Sequence, residues 1–252
     1  MSGPPAQPPR QQPPPVQRLR IRYAKRGRLR FTSHRDISRA FERAVRRSGL
    51  PVSYSSGFNP HPRLSYAGAA PTGAASEAEY LEIALAAECD PAQARAVLDA
   101  ALPPGLDVLE AVPARPGGLA DRLEASRWSI RLPGVSPDAA RDAVDTFLAA
   151  ESVQVSRMTK RGLRTFDARG AVRELLAHTD GGSEPPCAIL GLVVRHGEPS
   201  VRPDDVLAGL REVAGLEATA APMMCRLAQG PLDSRDGTVG DPLAPDRDTR
   251  GR

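Results

Sequence analysis

The apolar residues change period between Leu19 and Val45, and that change commits the chain to a fold that mixes strands with helices. Leu19, Ile21 and Tyr23 recur at every second position, with Arg20, Arg22 and Ala24 between and after them; this is the pattern of a strand with one wet face. Ile37, Ala40, Phe41, Ala44 and Val45 recur at helical spacing instead, which lines one side of a helix. Ser33 can cap that helix with Asp36 three residues on, and Gly49 stops it. Between the two, Lys25-Arg26-Gly27 supplies a turn, and Leu29 and Phe31 read as a continuation of extended chain.

The alternation continues downstream. Val52 and Tyr54 read as the start of the next strand, Glu79 to Leu85 as another, Pro91 to Leu102 as a helix and Leu106 to Leu109 as extended chain. The order strand, helix, strand, strand, helix, strand predicts an α+β fold with a ferredoxin-like βαββαβ unit over residues 18–113. Pro113 to Gly118 reads as a linker, and the pattern then restarts over residues 119–229. Trp128, Ile130 and Leu132 form a strand. Ser136-Pro137-Asp138 opens a helix with proline at its first position. Val153 and Val155 are extended, Phe166-Asp167 leads to a short helix through Leu175, Ile189 to Val194 is an apolar strand, Asp204 to Val213 a helix, and Met224 to Leu227 a last strand. The expectation is two tandem ferredoxin-like units with antiparallel sheets.

Both ends are poor in apolar residues. Residues 1–17 hold seven prolines, and residues 230–252 are rich in Gly, Pro, Asp and Arg; both read as disordered tails. Cys89, Cys187 and Cys225 stand far apart with no CxxC between them, which argues against zinc-ribbon and iron–sulfur spacings and leaves no metal site expected in this chain. No apolar run approaches the roughly 18–20 residues of a membrane span. Nor is there the apolar core of a secretory signal at the start. The expectation is a cytoplasmic protein with no membrane partner.

Charge is distributed unevenly. From Arg18 to Arg63 there are thirteen basic residues against two acids, Asp36 and Glu42; from Leu64 to Arg127 there are ten acids against four arginines. The preference for arginine over lysine runs through the whole chain, so the informative part is the local surplus, which suits an anionic partner. Arg35, Arg39, Arg43 and Arg46 fall on one face of the first helix, opposite Ile37, Phe41 and Val45. With Arg20, Arg22, Arg28 and Arg30 close in sequence, that row could track a phosphate backbone.

The run Gly57-Phe58-Asn59-Pro60-His61-Pro62-Arg63 holds one of four histidines between two prolines. Prolines there keep the backbone extended. A stiff polar loop loses little entropy on engaging a ligand, so Phe58, Asn59, His61 and Arg63 are candidate binding residues. His34 lies in the first turn of the arginine helix, where the positive helix end favours a neutral imidazole. His34, Asp36, His61 and Arg63 would form a polar pocket if the two segments converge. Glu77 and Glu79 fall on one face of their strand and Glu82 on the other; Glu79 is kept as a candidate contact, without a carboxylate pair for acid–base work. Arg161, Arg164, Asp167 and Arg169 flank a later hairpin, where they could extend the basic surface or form exposed ion pairs.

Taken together, the stretches RLRFTSHRDISRAFERAVRRSGLPVSYSSGFNPHPRLSYA, PTGAASEAEYLEI and RGLRTFDARGAVREL resemble a bacterial family usually called the radical SAM-linked (or radical SAM-associated) protein, a domain of unknown function. The resemblance covers roughly residues 18–229 and rests on S-H-x-D, R-x-G-L, G-F-N-P-H-P, G-x-x-S-x-x-E-Y and R-G-L-x-x-x-D. Arg35 stands where the family usually has a leucine-type residue. The resemblance implies a radical SAM protein as partner, fused or encoded beside it, with the iron–sulfur cluster and S-adenosylmethionine on that partner and no cofactor in this chain. It implies no activity. Three readings follow: an accessory protein that binds RNA through its basic face and presents it to the radical SAM partner; a metal-independent RNA-cleaving enzyme using His34; and a module that only docks the partner.

Overall fold

The computed structural model describes residues 12–159, 162–182 and 187–247. Among them are five α-helices and a mostly antiparallel arrangement of strands, a mixed α+β protein. The chain divides into two compact units. One contains the described residues up to Thr72, Glu79–Gly117 and those from Leu243 onward; the other contains Gly73–Ala78 and Gly118–Pro242.

The first unit follows the chain through β1 (Gln17–Lys25), α1 (His34–Ser48), β2 (Leu64–Ala67), β3 (Ala75–Leu85, from Glu79 onward), α2 (Pro91–Ala101) and β4 (Leu106–Pro113). Its strands lie in the order β4-β1-β3, with β2 antiparallel to β3. Leu19, Ile21 and Tyr23 of β1 and Leu81, Ile83 and Leu85 of β3 face one way and pack against Ile37, Phe41 and Val45 of α1 and Leu98 of α2. The caps follow the local sequence. The Ser33 hydroxyl oxygen accepts from the Asp36 backbone N–H at 3.2 Å, and Gly49 ends α1 with a φ of +71° that glycine adopts without a Cβ clash.

The second unit runs through β5 (Ala125–Leu132), α3 (Pro137–Ala149), β6 (Gln154–Thr159), β7 (Gly162–Asp167), β8 (Val172–Asp180), β9 (Cys187–Arg195), α4 (Pro203–Ala214) and β10 (Met223–Gly230). Its order is β10-β5-β9-β8, while β6 and β7 form a separate hairpin. Trp128, Ile130, Leu132, Leu190, Leu192 and Phe147 are buried.

Four sequence readings give way. Leu29 and Phe31 are not extended: Gly27–Phe31 is a 3-10 turn, closed by bonds such as Leu29 N–H to Arg26 O at 3.1 Å and Thr32 N–H to Leu29 O at 3.0 Å. Val52 and Tyr54 make only isolated bridges, to Leu85 and Pro62. The short helix expected through Leu175 is a 3-10 turn at Arg169–Ala171 followed by β8. There a β-bulge between Val172 and Glu174 puts the two buried residues, Val172 and Leu175, three positions apart, and that spacing imitates a helix. The last correction is the C-terminal tail. β10 continues to Gly230, Leu232 bridges Val239, and a helical turn, α5 (Ala244–Arg247), buries Leu243 and Asp246. Residues 1–11 and 248–252 of the expected tails lie outside the described residues.

Candidate functional site

Helix α1 presents the arginine row to water. Arg35, Arg39, Arg43 and Arg46 are exposed, and Ile37, Ala40, Phe41, Ala44 and Val45 are buried on the other side. Arg39 stands 3.6 Å from Asp36, with both side chains more than half exposed; such a pair contributes roughly 0–1 kcal/mol. Asp36 also accepts the Ser33 hydroxyl proton at 2.7 Å. Arg47 turns aside and donates to the Ala101 carbonyl at the end of α2. Among the described residues no hydrogen bond or ion pair engages Arg35, Arg43 or Arg46. Arg43 and Arg47 line a shallow cleft of about 390 Å³ with Ala40, Ala101, Leu102 and Pro103.

The arginines of β1 do not join this row. Alternation along the strand sends Arg18, Arg20 and Arg22 to the side opposite Leu19, Ile21 and Tyr23, away from α1. Arg20 is only 1% exposed. Its guanidinium donates to both carboxylate oxygens of Asp246, to Glu82 and to the backbone carbonyls of Arg115 and Gly117. Arg30 places its guanidinium 4.5 Å over the ring of Phe31. Phe31 is 60% exposed, although its alternation with Leu29 imitates a strand face.

His34 opens α1 and is exposed. Its ring meets Tyr66 of β2 edge-on, with centroids 5.0 Å apart. Tyr66 also packs on Phe41 at 6.2 Å, and Phe41 on Tyr23 at 4.7 Å, so a line of aromatic rings runs from the core to His34. The Tyr66 hydroxyl is buried and makes no hydrogen bond. Burial pushes its pKa up, the Ser38 hydroxyl nearby counters this in part, and the Glu42 carboxylate adds to it.

The proline loop is held at its base. Ser55 N–H donates to His61 O at 2.8 Å, His61 N–H to Ser55 Oγ at 3.0 Å and Arg63 N–H to Ser53 O at 2.9 Å. Beyond that closure Phe58, Asn59 and His61 are exposed, Phe58 by 83%. Among the described residues no hydrogen bond, ion pair or ring contact joins His34 or Asp36 to His61 or Arg63. What links the two segments is β2, which leads from the loop to Tyr66. Glu79 is 2% exposed, and its carboxylate accepts from Ala70 N–H at 3.1 Å. Lys25 donates to the neighbouring Pro71 carbonyl at 3.0 Å. Both side chains fix the backbone at residues 70–71, so Glu79 is not presented to solvent.

In the second unit Arg164 is exposed and Arg161 lies outside the described residues. Asp167 and Arg169 are not a surface pair. Burial alone would raise the Asp167 pKa, but the N–H groups of Val153, Gly170 and Arg169 more than offset it and hold the carboxyl below its ordinary range. Arg169 donates to the carbonyls of Leu148 and Val172. Among the described residues no group of three His, Cys, Asp or Glu side chains is placed to hold a metal ion, and no helix is long and apolar enough to cross a membrane.

The molecule is thus an α+β protein whose first unit exposes a cationic helix face and an aromatic-tipped loop. The chain belongs to the family described as an uncharacterized protein conserved in bacteria (DUF2344), whose model matches residues 18–203. No curated protein matches it. Among solved structures, DyPB from Rhodococcus jostii RHA1, crystal form 2, matches at 11% identity over 92% of this chain and 97% of that one, with a TM-score of 0.22; a likeness at that level supports no argument about function.

Proposed function

We propose that this chain is a cytoplasmic accessory protein that binds RNA through the exposed face of α1 and serves a radical SAM enzyme. The observation that carries the RNA part is the exposed row Arg35, Arg39, Arg43 and Arg46, in which, among the described residues, Arg39 alone forms an ion pair, with Asp36. Guanidinium groups at successive turns of a helix match phosphates spaced along a backbone. Phe31 and Phe58 add exposed rings on which unpaired bases stack. The radical SAM partner rests on the motif resemblance; the iron–sulfur cluster and S-adenosylmethionine belong to that partner.

Within this reading each unit is ferredoxin-like. The order β4-β1-β3-β2 with α1 and α2 as crossovers supports that for the first unit. The order β10-β5-β9-β8 supports it for the second, with the β6–β7 hairpin inserted after α3. A second reading, docking of the partner through the proline loop, draws on the exposure of Phe58 at its tip.

The test is filter binding of bulk transfer RNA to the full chain and to the double variant Arg39→Glu, Arg43→Glu. Reversing two of the row should weaken binding at least tenfold. Equal binding by both proteins would reject this face as the RNA site.

A further inference from the structure

We propose that the second unit binds a phosphate monoester carrying a flat ring, of nucleoside monophosphate size, in the cleft around Arg173, Arg195 and His196. This site does not depend on the RNA reading, which concerns other residues. The cleft measures about 640 Å³ and is walled further by Leu123, Leu232 and Glu124. A second hollow of about 360 Å³ opens from the same three residues toward Asp167 and Pro199. Volumes of this order hold a small ligand.

The backbone places the two cations deliberately. Val172 pairs with Val194 and Glu174 with Val193, so Arg173 is the extra residue of the bulge. A bulge bends its strand and re-aims the unpaired side chain. Arg195 ends β9 directly after Val194. Both guanidinium groups therefore flank the Val172–Val194 pair, both residues are exposed, and among the described residues neither makes a hydrogen bond or ion pair.

Three of the acids around them already accept hydrogen bonds from other groups. Glu124 accepts from Leu232 N–H at 3.0 Å. Asp233 is taken by Arg235, and Asp167 by three backbone N–H groups. Glu198 at the edge of the smaller hollow is exposed and unengaged. Two guanidinium groups facing one cleft suit the doubly charged, fork-accepting geometry of a phosphate monoester.

His196 supplies a surface, not a charge. Its Nδ1 lies 2.8 Å from Leu123 O and its Nε2 3.1 Å from Ser126 Oγ, and Ser126 Oγ accepts from Trp128 Nε1–H at 2.8 Å. With Nδ1–H donating to the carbonyl, the Ser126 hydroxyl donates to Nε2, so the ring is neutral and both nitrogens are spent. Its carbons, with Leu123 and Leu232, are left to meet an apolar or planar group.

Isothermal titration of the full chain with adenosine monophosphate, adenosine and inorganic phosphate tests this. The monophosphate should bind more tightly than either fragment. Arg173→Gln and Arg195→Gln should each weaken it about tenfold or more, the loss expected for one charge-assisted contact, with melting temperatures unchanged because both side chains are exposed. Arg39→Glu, Arg43→Glu should leave it unaltered. No heat with the monophosphate, adenosine binding as tightly as the monophosphate, or variants that bind like the parent would each overturn the proposal.

Discussion

Arg20 and Asp246 are 226 residues apart and form a buried ion pair, with one guanidinium nitrogen 2.7 and 2.9 Å from the two carboxylate oxygens. The side chains are 1% and 0% exposed. The pair ties α5 to β1 inside the first unit, and Asp246 also accepts from Arg115 N–H at 2.9 Å. Asp246→Ala should therefore destabilise the protein by about 3–5 kcal/mol, the usual cost of leaving one buried partner uncompensated. Urea unfolding measures it. Replacing both residues by apolar ones, Arg20→Met with Asp246→Leu, should cost less than Asp246→Ala alone; a double variant that is worse than the single would contradict this account of the pair.

The buried hydroxyl of Tyr66 gives a pH signature. Its pKa is raised above the ordinary phenol value of 10.0, so above that pH the unfolded chain releases a proton that the folded chain retains. The unfolded state then binds fewer protons, and stability falls as pH rises. Thermal melts from pH 9 to 11 should show this loss, and Tyr66→Phe should lessen it. The same substitution removes a polar group without a partner, so at neutral pH Tyr66→Phe should be neutral or slightly stabilising.

Exposed rings favour unpaired nucleotides over duplex, because only splayed bases can stack on them. Phe31→Ala and Phe58→Ala should each weaken single-stranded RNA by about 1–3 kcal/mol and leave duplex RNA of the same length unaffected. Fluorescence anisotropy with both ligands separates the two. Equal losses on both would mean that the rings do not read unpaired bases.

His34 distinguishes binding from cleavage. Its ring packs against Tyr66, and no second acid–base group among the described residues is joined to it by a hydrogen bond. Incubation of total cellular RNA with wild type and with His34→Ala should give identical patterns on a denaturing gel. Fragments that vanish in the variant would instead establish the cleaving reading.

Much of the architecture was legible because two periods and a few caps are local signals. Ser33, Gly49, and the alternation of Leu19, Ile21 and Tyr23 each mean what they mean within one or two turns of chain. Most of the misreadings originate in partners distant along the sequence. Leu29 and Phe31 alternate like a strand but close a 3-10 turn on their own backbone. Val172 and Leu175 imitate a helix because a bulge absorbs Arg173. Residues 231–247 look too polar to fold, yet Asp246 meets a buried guanidinium supplied by β1. The same limit applies to function. The α1 arginines declare their face by spacing alone, whereas Arg20 lies close to them in sequence but is spent on the distant Asp246. Arg173, Arg195 and His196 carry no motif; they are assembled by strand pairing across the bulge of β8.

The central claim is that α1 engages a phosphate backbone, and its most direct measurement is the salt dependence of RNA affinity. Each phosphate neutralised adds about −0.7 to the slope of log K against log salt for a single strand. Wild type should give a steep negative slope, and Arg39→Glu, Arg43→Glu a slope shallower by more than one. A flat dependence for the wild type, or the same slope in both proteins, would contradict the account.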